Sequence, residues 1–598
     1  MILPVAYGVF VNQVSSFMPK GYICQWTQCG SEATARRVRV LSTAGHARRK
    51  RCYRHLVCCM TGLGYNPHTF SIINNRLKAL MEDEGQEELF MKHLFTMLLT
   101  LVAVTASAQD FEVDGIYYNI LSEDDKTVEV TGSPYGYSGD VVIPAEVTYD
   151  GSTYSVTMIG KDAFNYCEAL TSVEMPEVTT IGNHAFNLCS TLTSVEMPAV
   201  TTIGEYAFSS CHEVTSVSMP SVTTIGDNAF SGCFSLASVF IPASCTLIGA
   251  NPFEQCIELK EIVVEESNPN YSSADGILYD KGKTTLIGWP AAESDIDIMP
   301  SVTTIGSRAF SSLYALTSVS MPEVTTIGDQ AFSDCDALTS VSMPSVTTIG
   351  DAAFGFCHTL KSVDMPSVET LSNYAFRDCQ ALTSVDIPAS CTSIGANPFV
   401  GCTNLKEIMV DENNPNYSSA DGALYDNGKT TLIGWPTAEG DIDIMPSVTT
   451  IGDGALYSCY ALTSVYMPSV TTIGDAAFGF CHTLKSVDMP SVAMIGDVVF
   501  SGYSVLTSVD IPASVTTIGD RVFSACSGLT SVYCHWEQPL ECDPSFAVEA
   551  LDNATLYVPT GTIDAYRSVS PWREFINIEE RDYSGIADTP GSAVGQGD

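Results

Sequence analysis

The sequence predicts a repeat solenoid, made mostly of short parallel strands and loops and capped at both ends. A unit of 22–23 residues recurs about fourteen times, a period typical of architectures whose units bury one face only against their neighbours. Apolar residues alternate within each unit, and Pro and Gly recur at fixed places in it. Charged residues make up only 16% of the chain, so Ser, Thr, Asn and Gly supply much of the polar surface.

Each unit begins with a predicted strand that has one buried face. In the first clear copy Leu170, Val173 and Met175 are apolar, while Glu174 points to the opposite side. Pro176 follows and ends the pairing, because it has no amide hydrogen to donate. The unit thus opens with a short strand and a sharp stop.

The second half of the unit predicts another extended piece and then a single helical turn. Val178 and Ile181 face inward, and Gly182 allows a tight turn. The next position is Asp, Asn or Ser in ten of the fourteen copies, and Ala-Phe follows two residues later. A capping side chain before Ala predicts one helical turn, with Phe in the core and a Cys closing the coil.

The complete pattern, L-x-x-V-x-M/I-P…I-G-x-x-A-F-x-x-C, resembles the bacterial BspA-like leucine-rich repeats of the Treponema pallidum type. The similarity covers about residues 109–580, since DFEVDGIYYNILSEDDKTVEVTG and LYVPTGTIDAYRSVSPWREFINIEE resemble the two caps of such proteins from Bacteroidetes. The resemblance implies a leucine-rich-repeat right-handed superhelix in a secreted or cell-surface protein, often an adhesin. Members often carry a C-terminal sorting domain that is not visible here, so the anchoring route stays open.

Residues 91–108 predict a secretory signal peptide. Lys92 precedes an apolar run, and an Ala-Ser-Ala cleavage site follows it. We interpret residues 1–90 as a mis-annotated upstream extension, because a signal peptide must be N-terminal; this stretch has 11 Lys and Arg against 6 Asp and Glu. The alternative is a genuine cytosolic domain with an internal membrane segment. The apolar run is too short for a permanent span, so the mature chain is expected to have none.

The remaining chain divides into four predicted parts. They are an N-terminal cap at 109–155, the repeat array at 156–535, a C-terminal cap at 536–580 and a flexible tail at 581–598. Two insertions interrupt the array near 257–300 and 403–446, and they are nearly identical copies shifted by 146 residues. Such copies indicate duplication of whole blocks, and we expect both insertions to protrude from the solenoid.

The 21 cysteines predict a ladder of buried thiols and not a disulfide framework. Twelve of them stand at the F-x-x-C position, so their Cβ atoms repeat at about 4.8 Å with parallel directions. A disulfide needs convergent Cβ atoms about 3.8 Å apart. Cys534 and Cys542, near the C-terminal cap, are the one pair for which a bridge stays open.

No motif for catalysis, metal or cofactor binding is recognisable. The chain lacks G-x-S-x-G, H-E-x-x-H and a phosphate-binding glycine loop, and His358 and His482 are copies of one repeat position. Alternating aspartates such as Asp295 and Asp297, and the turn residues Asp275 and Asp280, lack calcium-loop spacing and are interpreted as solvated carboxylates and turn formers. The net charge of −42 argues against nucleic acid and anionic membranes as partners.

The candidate binding residues occupy the outward position of the first strand in successive units. Stacked strands would align them into one long acidic surface with scattered aromatic rings. They are Glu174, Glu196, Phe240, Asp364, Asp386, Tyr466, Asp488, Asp510 and Tyr533. Rival contact residues lie in the insertions, namely Tyr271, Trp289, Tyr417 and Trp435. The alternatives are that the strand residues merely face water and that the tryptophans pack the insertions onto the array.

These observations favour a non-catalytic adhesin-type binding protein, secreted or at the cell surface, with extracellular host or bacterial surface proteins as partners. A glycan-binding surface protein is the alternative, and an enzyme is a third class. Protein binding through an acidic surface should weaken with salt, whereas glycan binding should survive it. The identity of the ligand and the oligomeric state stay open.

Overall fold

The computed structural model describes residues 109–289, 295–542 and 546–583. The chain divides into two compact units, and the second, Gln109–Asp598, contains all the elements described below. The predicted upstream extension and signal peptide lie outside the described residues, as does 584–598 of the predicted tail. Among the described residues, no helix is both long enough and apolar enough to cross a membrane.

Each coil of the array contributes a first strand in which an inward Val or Ile separates two outward side chains. These strands pair in parallel and in register, as Ser194–Glu196 does with Ser216–Ser218. The predicted repeat solenoid is therefore confirmed. The first strands are Leu170–Glu174, Ser194–Glu196, Ser216–Ser218, Ser238–Ile241, Glu261–Val264, Asp295–Asp297, Ser318–Ser320, Ser340–Ser342, Ser362–Asp364, Ser384–Ile387, Glu407–Val410, Gly440–Asp443, Leu462–Tyr466, Ser486–Asp488, Ser508–Ile511 and Ser531–Cys534.

A second strand of two residues follows in thirteen of the described coils and pairs in parallel with its counterparts in neighbouring coils. Its Ile side is buried, and the hydroxyl of the preceding Thr donates to the coil before, as Thr201 does to the Thr179 carbonyl at 3.1 Å. The second strands are Thr180–Ile181, Thr202–Ile203, Thr224–Ile225, Leu247–Ile248, Thr304–Ile305, Thr326–Ile327, Thr348–Ile349, Thr370–Leu371, Ser393–Ile394, Thr450–Ile451, Thr472–Ile473, Met494–Ile495 and Thr517–Ile518.

The third side of each coil, between the Gly and the Cys, is not the single helical turn that the sequence predicts. In the first coil Asp162 and Tyr166 have φ values of 58° and 60°, which interrupt any right-handed helix. The Phe164 amide donates to Ala185 of the next coil at 2.7 Å, whereas the Ala163 amide donates back to Gly160 at 3.3 Å. The helical prediction is wrong because every second amide is used between coils and not along the chain.

The core is a stack of phenylalanines joined to a ladder of thiols. Consecutive rings such as Phe332 and Phe354 lie 5.0 Å apart and nearly parallel. All twelve cysteines of the F-x-x-C position are free and buried, which confirms the predicted thiol ladder. Their thiols also donate to the previous coil, as Cys357 does to the Phe332 carbonyl at 3.1 Å. Cys534 is a free buried thiol, so the Cys534–Cys542 bridge is not formed.

The two insertions do not protrude but continue the stack, which corrects the prediction. In the first, Glu261–Val264 pairs with a first strand and Thr285–Gly288 pairs in parallel with the second strand Thr304–Ile305. A hairpin of Tyr271–Ala274 and Ile277–Asp280 lies between them. The second insertion repeats this arrangement with the strands Glu407–Val410, Tyr417–Ala420, Ala423–Asp426 and Thr431–Gly434.

Each insertion also separates two hydrophobic cores. Leu278 packs into the core that precedes it along the chain, while Ile277 and Tyr279 pack into the core that follows. In the second insertion, Leu424 packs into the second core and its neighbour Ala423 packs into the third. The array is thus three cores separated by two walls of alternating side chains.

Caps cover the two ends of the described solenoid. The N-terminal cap contains Phe111–Val113, Ile116–Ser122, Thr127–Thr131, Gly139–Val142, Glu146–Tyr149 and Ser152–Ile159. The C-terminal cap contains the helices Val548–Asn553 and Ile563–Ser568, the 3₁₀ turn Trp572–Glu574 and the strands Thr555–Pro559 and Asn577–Arg581. Trp572 is fully buried, and its indole N–H donates to the Leu540 carbonyl at 2.7 Å.

Candidate functional site

The outward side chains of the first strands form the exposed row, defined as the position that follows the buried Val or Ile of each first strand. Parallel pairing in register brings successive members directly opposite each other, as in Asp386 and Met409 or Phe240 and Val263. Of the predicted residues, Glu174, Glu196, Phe240, Asp364 and Asp386 are exposed, and Tyr466, Asp488, Asp510 and Tyr533 are half-buried. The structure therefore places all nine on one kind of surface.

The middle of the exposed row mixes apolar and acidic side chains. Phe240 is 51% exposed and lies beside Val263, which is 37% exposed. Asp364 lies beside Ser342, whose hydroxyl donates to the Asp364 carboxylate at 3.1 Å. This part of the row offers small separate patches.

The C-terminal row is the part of the exposed row where aspartates and tyrosines are neighbours. Asp443, Tyr466 and Asp488 are opposite one another on three consecutive strands. Asp510 and Tyr533 then form the same pairing, and the row continues through the cap as Tyr557 and Glu579. The Tyr533 and Tyr557 rings stack with centroids 4.8 Å apart.

Asp510 and Tyr533 of the C-terminal row each lie close to a basic side chain. The Asp510 carboxylate lies 2.6 Å from His535 Nε2, and the Arg581 guanidinium lies 5.0 Å from the centre of the Tyr533 ring. Burial, together with the nearby Asp510 carboxylate, raises the pKa of Asp488 above its usual value. The Asp488 carboxylate is therefore held in a position that disfavours its charge.

Four C-terminal residues of this surface were not predicted from the sequence: His535, Tyr557, Arg581 and Tyr583. The Tyr583 ring lies 4.1 Å from the His535 ring, so the segment after the last strand folds back over the row. A signal for Tyr557 was present, because Leu556 and Val558 flank it with the same alternation as in the repeats. The sequence gives no local indication that Arg581 and Tyr583 lie over the row, because these contacts depend on side chains that reach across a neighbouring strand.

The aromatic residues of the insertions pack within the solenoid. The hydroxyls of Tyr271 and Tyr417 accept the amides of Ile248 and Ile394 at 2.9 and 2.7 Å. Trp289 takes the place of a phenylalanine in the ring stack, 5.5 Å from Phe310, and Trp435 lies against the next core. The structure thus gives all four a packing role, and their role as contact residues stays a prediction.

The acidic residues in the insertions hold turns. The Asp280 carboxylate accepts the amides of Thr284 and Thr285 at 2.7 and 2.6 Å, as Asp426 does in the second copy. Burial works against the charge of Asp280, but these hydrogen bonds hold its pKa below the usual value. Within the described ranges, no group of three or more His, Cys, Asp or Glu side chains could hold a metal ion. The absence of metal and cofactor stays a prediction.

The N-terminal cap contains an open cleft of about 410 Å³ lined by Tyr118, Tyr137 and Asp140 among others. The Asp140 carboxylate accepts the hydroxyls of Thr171 and Ser172 at 2.8 and 2.6 Å, which lowers its pKa. The Tyr137 hydroxyl donates to a backbone carbonyl, and burial raises its pKa. These hydrogen bonds join parts of the cap to one another and to the first coil.

Comparisons with known proteins give one family. The model for the BspA type leucine-rich-repeat region matches residues 157–274, 325–424 and 440–538, which together are more than half of the chain. No curated protein matches.

Solved structures of similar proteins are also found. A leucine-rich cell surface protein from Faecalibacterium prausnitzii is 25% identical, covering 80% of this chain and 97% of that one with a TM-score of 0.38. A leucine-rich repeat protein from Bacteroides ovatus is 24% identical, covering 79% and 100% with a TM-score of 0.31. The leucine-rich repeat protein of T. pallidum is 22% identical, covering 50% and 91% with a TM-score of 0.17.

Proposed function

This chain belongs to the BspA-type leucine-rich-repeat family, and from that membership we propose that it is an adhesin-type binding protein without catalytic activity. Its partners are extracellular proteins of a host or of other bacteria, which it binds through the exposed row. The observation that carries the proposal is the in-register alignment of outward Asp, Glu and Tyr side chains on successive coils. Repeat solenoids commonly bind through such extended sheet surfaces.

The location proposed for the protein is the cell surface or the extracellular medium. The signal-like segment 91–108 supports export, and the low charged content with abundant Ser and Thr is typical of exported repeat proteins. The net charge of −42 supports basic or neutral partners.

A glycan is the second candidate ligand. The tyrosines Tyr466 and Tyr557 stand beside acidic side chains that can accept sugar hydroxyls, and an aromatic face can stack on a sugar ring. The two candidates differ in their response to salt, because sugar stacking and neutral hydrogen bonds are screened far less than charge pairs.

The test is binding of the full chain to immobilised matrix proteins and mucin between about 0.05 and 0.5 M salt. One variant changes Asp364, Asp386, Asp488 and Asp510 to Asn, which removes four charges from the exposed row. The matched control removes four exposed charges elsewhere, by changes to Gln at Glu168, Glu213, Glu258 and Glu323.

We expect binding that weakens with salt and is lost in the first variant only. Equal losses in both variants would mean that total charge and not the row governs binding. Binding to mucin glycans that persists at high salt would favour the second candidate.

A further inference from the structure

The solenoid already binds one guanidinium group on its own exposed row. Arg581 lies 5.0 Å from the centre of the Tyr533 ring, and Asp510 is the in-register neighbour of that tyrosine. A guanidinium plane over an aromatic ring gains from the ring quadrupole, and a nearby carboxylate adds charge attraction. The pair Asp510 and Tyr533 is therefore an example of a tyrosine beside an aspartate that binds a guanidinium group.

A second tyrosine on the same row has no such cover. Tyr466 stands between Asp443 and Asp488 on three paired strands, which gives it a carboxylate on each side. Within the described part of the chain, no cation or ring lies over Tyr466, and neither aspartate forms an ion pair. The arrangement repeats the Asp510–Tyr533 pairing, with one more carboxylate and without the arginine.

Within the residues that the structure describes, no basic side chain forms an ion pair with the carboxylates on either side of Tyr466. Asp510, the next acid along the row, lies 2.6 Å from His535 Nε2. Lys485 acts on Asp441, whose carboxylate is also engaged by the hydroxyls of Thr463 and Ser464. Burial and the nearby Asp510 carboxylate raise the pKa of Asp488.

We propose that Asp443, Tyr466 and Asp488 form a binding site for an arginine side chain of a partner protein. The inference rests on the proposed function, because it names the chemistry by which the exposed row recognises that partner. Arginine fits better than lysine because its planar guanidinium stacks on the ring while its N–H groups donate to carboxylates on either side. The site holds the partner's arginine as Tyr533 holds Arg581.

The test measures binding of fluorescent nona-arginine, nona-lysine and nona-citrulline peptides to the full chain. The variants are Tyr466→Leu, Tyr466→Phe and Asp488→Asn. Glu323→Gln is the control, because it removes one exposed carboxylate that lies off the exposed row. A thermal melt of each variant shows whether it is folded.

We expect nona-arginine to bind more tightly than nona-lysine, and nona-citrulline to bind least. Tyr466→Leu and Asp488→Asn should weaken nona-arginine binding about threefold to tenfold, while Tyr466→Phe and Glu323→Gln change it less than about twofold. Equal losses for Glu323→Gln and Asp488→Asn, or unchanged binding in Tyr466→Leu, would overturn the site.

The matrix-protein assay separates this inference from the proposed function. Binding to a matrix protein that is unaffected by Tyr466→Leu would refute the arginine site and leave the adhesin function standing. Tyrosine-dependent arginine binding together with no binding to any matrix protein would establish the site and refute the adhesin function.

Discussion

Replacing Phe354 by Leu should reveal how much the phenylalanine stack stabilises the solenoid. Phe354 is fully buried, and its ring lies 5.0 Å from Phe332 and 5.2 Å from Phe376. Leucine is tolerated at this position, because Leu456 occupies it in another coil and is also fully buried. The substitution therefore removes the ring contacts without imposing an unfamiliar shape.

The expected loss follows from the contacts that disappear. Each stacked aromatic pair contributes about 0.5–1.5 kcal/mol beyond its buried area, so two pairs contribute about 1–3 kcal/mol. The smaller side chain also leaves a void equal to the volume difference, which adds about 0.5 kcal/mol at roughly 24 cal/mol per Å³. The total loss in the free energy of unfolding should be about 1.5–3.5 kcal/mol.

Urea denaturation followed by far-ultraviolet circular dichroism measures this loss, with hydrogen exchange to locate it. Exchange should accelerate chiefly within the core that contains Phe354, which ends at the insertion walls near Ile277 and Leu424. Phe240→Leu is the control, because that ring is 51% exposed and belongs to no stack. A loss below about 0.5 kcal/mol, or one equal to the control, would refute a stabilising role for the stack.

Three further predictions concern single side chains. Iodoacetamide should modify Cys335 only after denaturation, because burial raises the pKa of the Cys335 thiol to about 12. Peptide mass mapping that found Cys335 alkylated in the native protein would contradict this prediction. Asp488→Asn should stabilise the protein at pH 7, because the raised pKa of Asp488 means that its charged form destabilises the fold. This gain in stability should disappear as the pH falls and the Asp488 carboxyl becomes protonated. Thermal melts of both proteins at several pH values check the sign. Arg581→Ala should uncover the Tyr533 ring and raise the number of nona-arginine peptides bound per chain from one to two. Titration calorimetry measures this number. An unchanged number would contradict the prediction.

The repeated strands were predictable because each has its own local signal. Val173 and Met175 alternate with Glu174, and Pro176 ends the pairing, so the strand and its buried side follow from one unit alone. The same alternation predicts which residues face outward and form the exposed row. The register of parallel pairing then places these residues opposite one another.

The corner of each coil could not be predicted in the same way. A polar residue two positions before Ala-Phe is also a helix start, and only the neighbouring coil decides between the two conformations. The amide of Phe164 is taken by Ala185 of that coil, so a contact between units overrides the local preference.

The insertions were misjudged for a different reason. Thr285–Gly288 has the sequence T-L-I-G, whereas the ordinary second strand has Thr and Ile directly before the Gly. Leu286 takes the place of that Ile, and Ile287 is an additional residue before the Gly, which hides the match. Leu286 is nonetheless opposite Ile305, so the strand keeps its place in the sheet. The covering of Tyr533 by Arg581 has no sequence signal at all, because it depends on how the last strand closes the stack.

The two insertion walls make the length of the protein adjustable in whole steps. Both walls have the same pair of faces, since residues 251–306 and 397–452 are near-identical and divide the cores in the same manner. Removing the block between them would join the first core to the third across an interface that the protein already contains. Six first strands would be lost, which shortens the solenoid by about 29 Å. Recombination between the copies would therefore change the length of the solenoid without requiring any new packing.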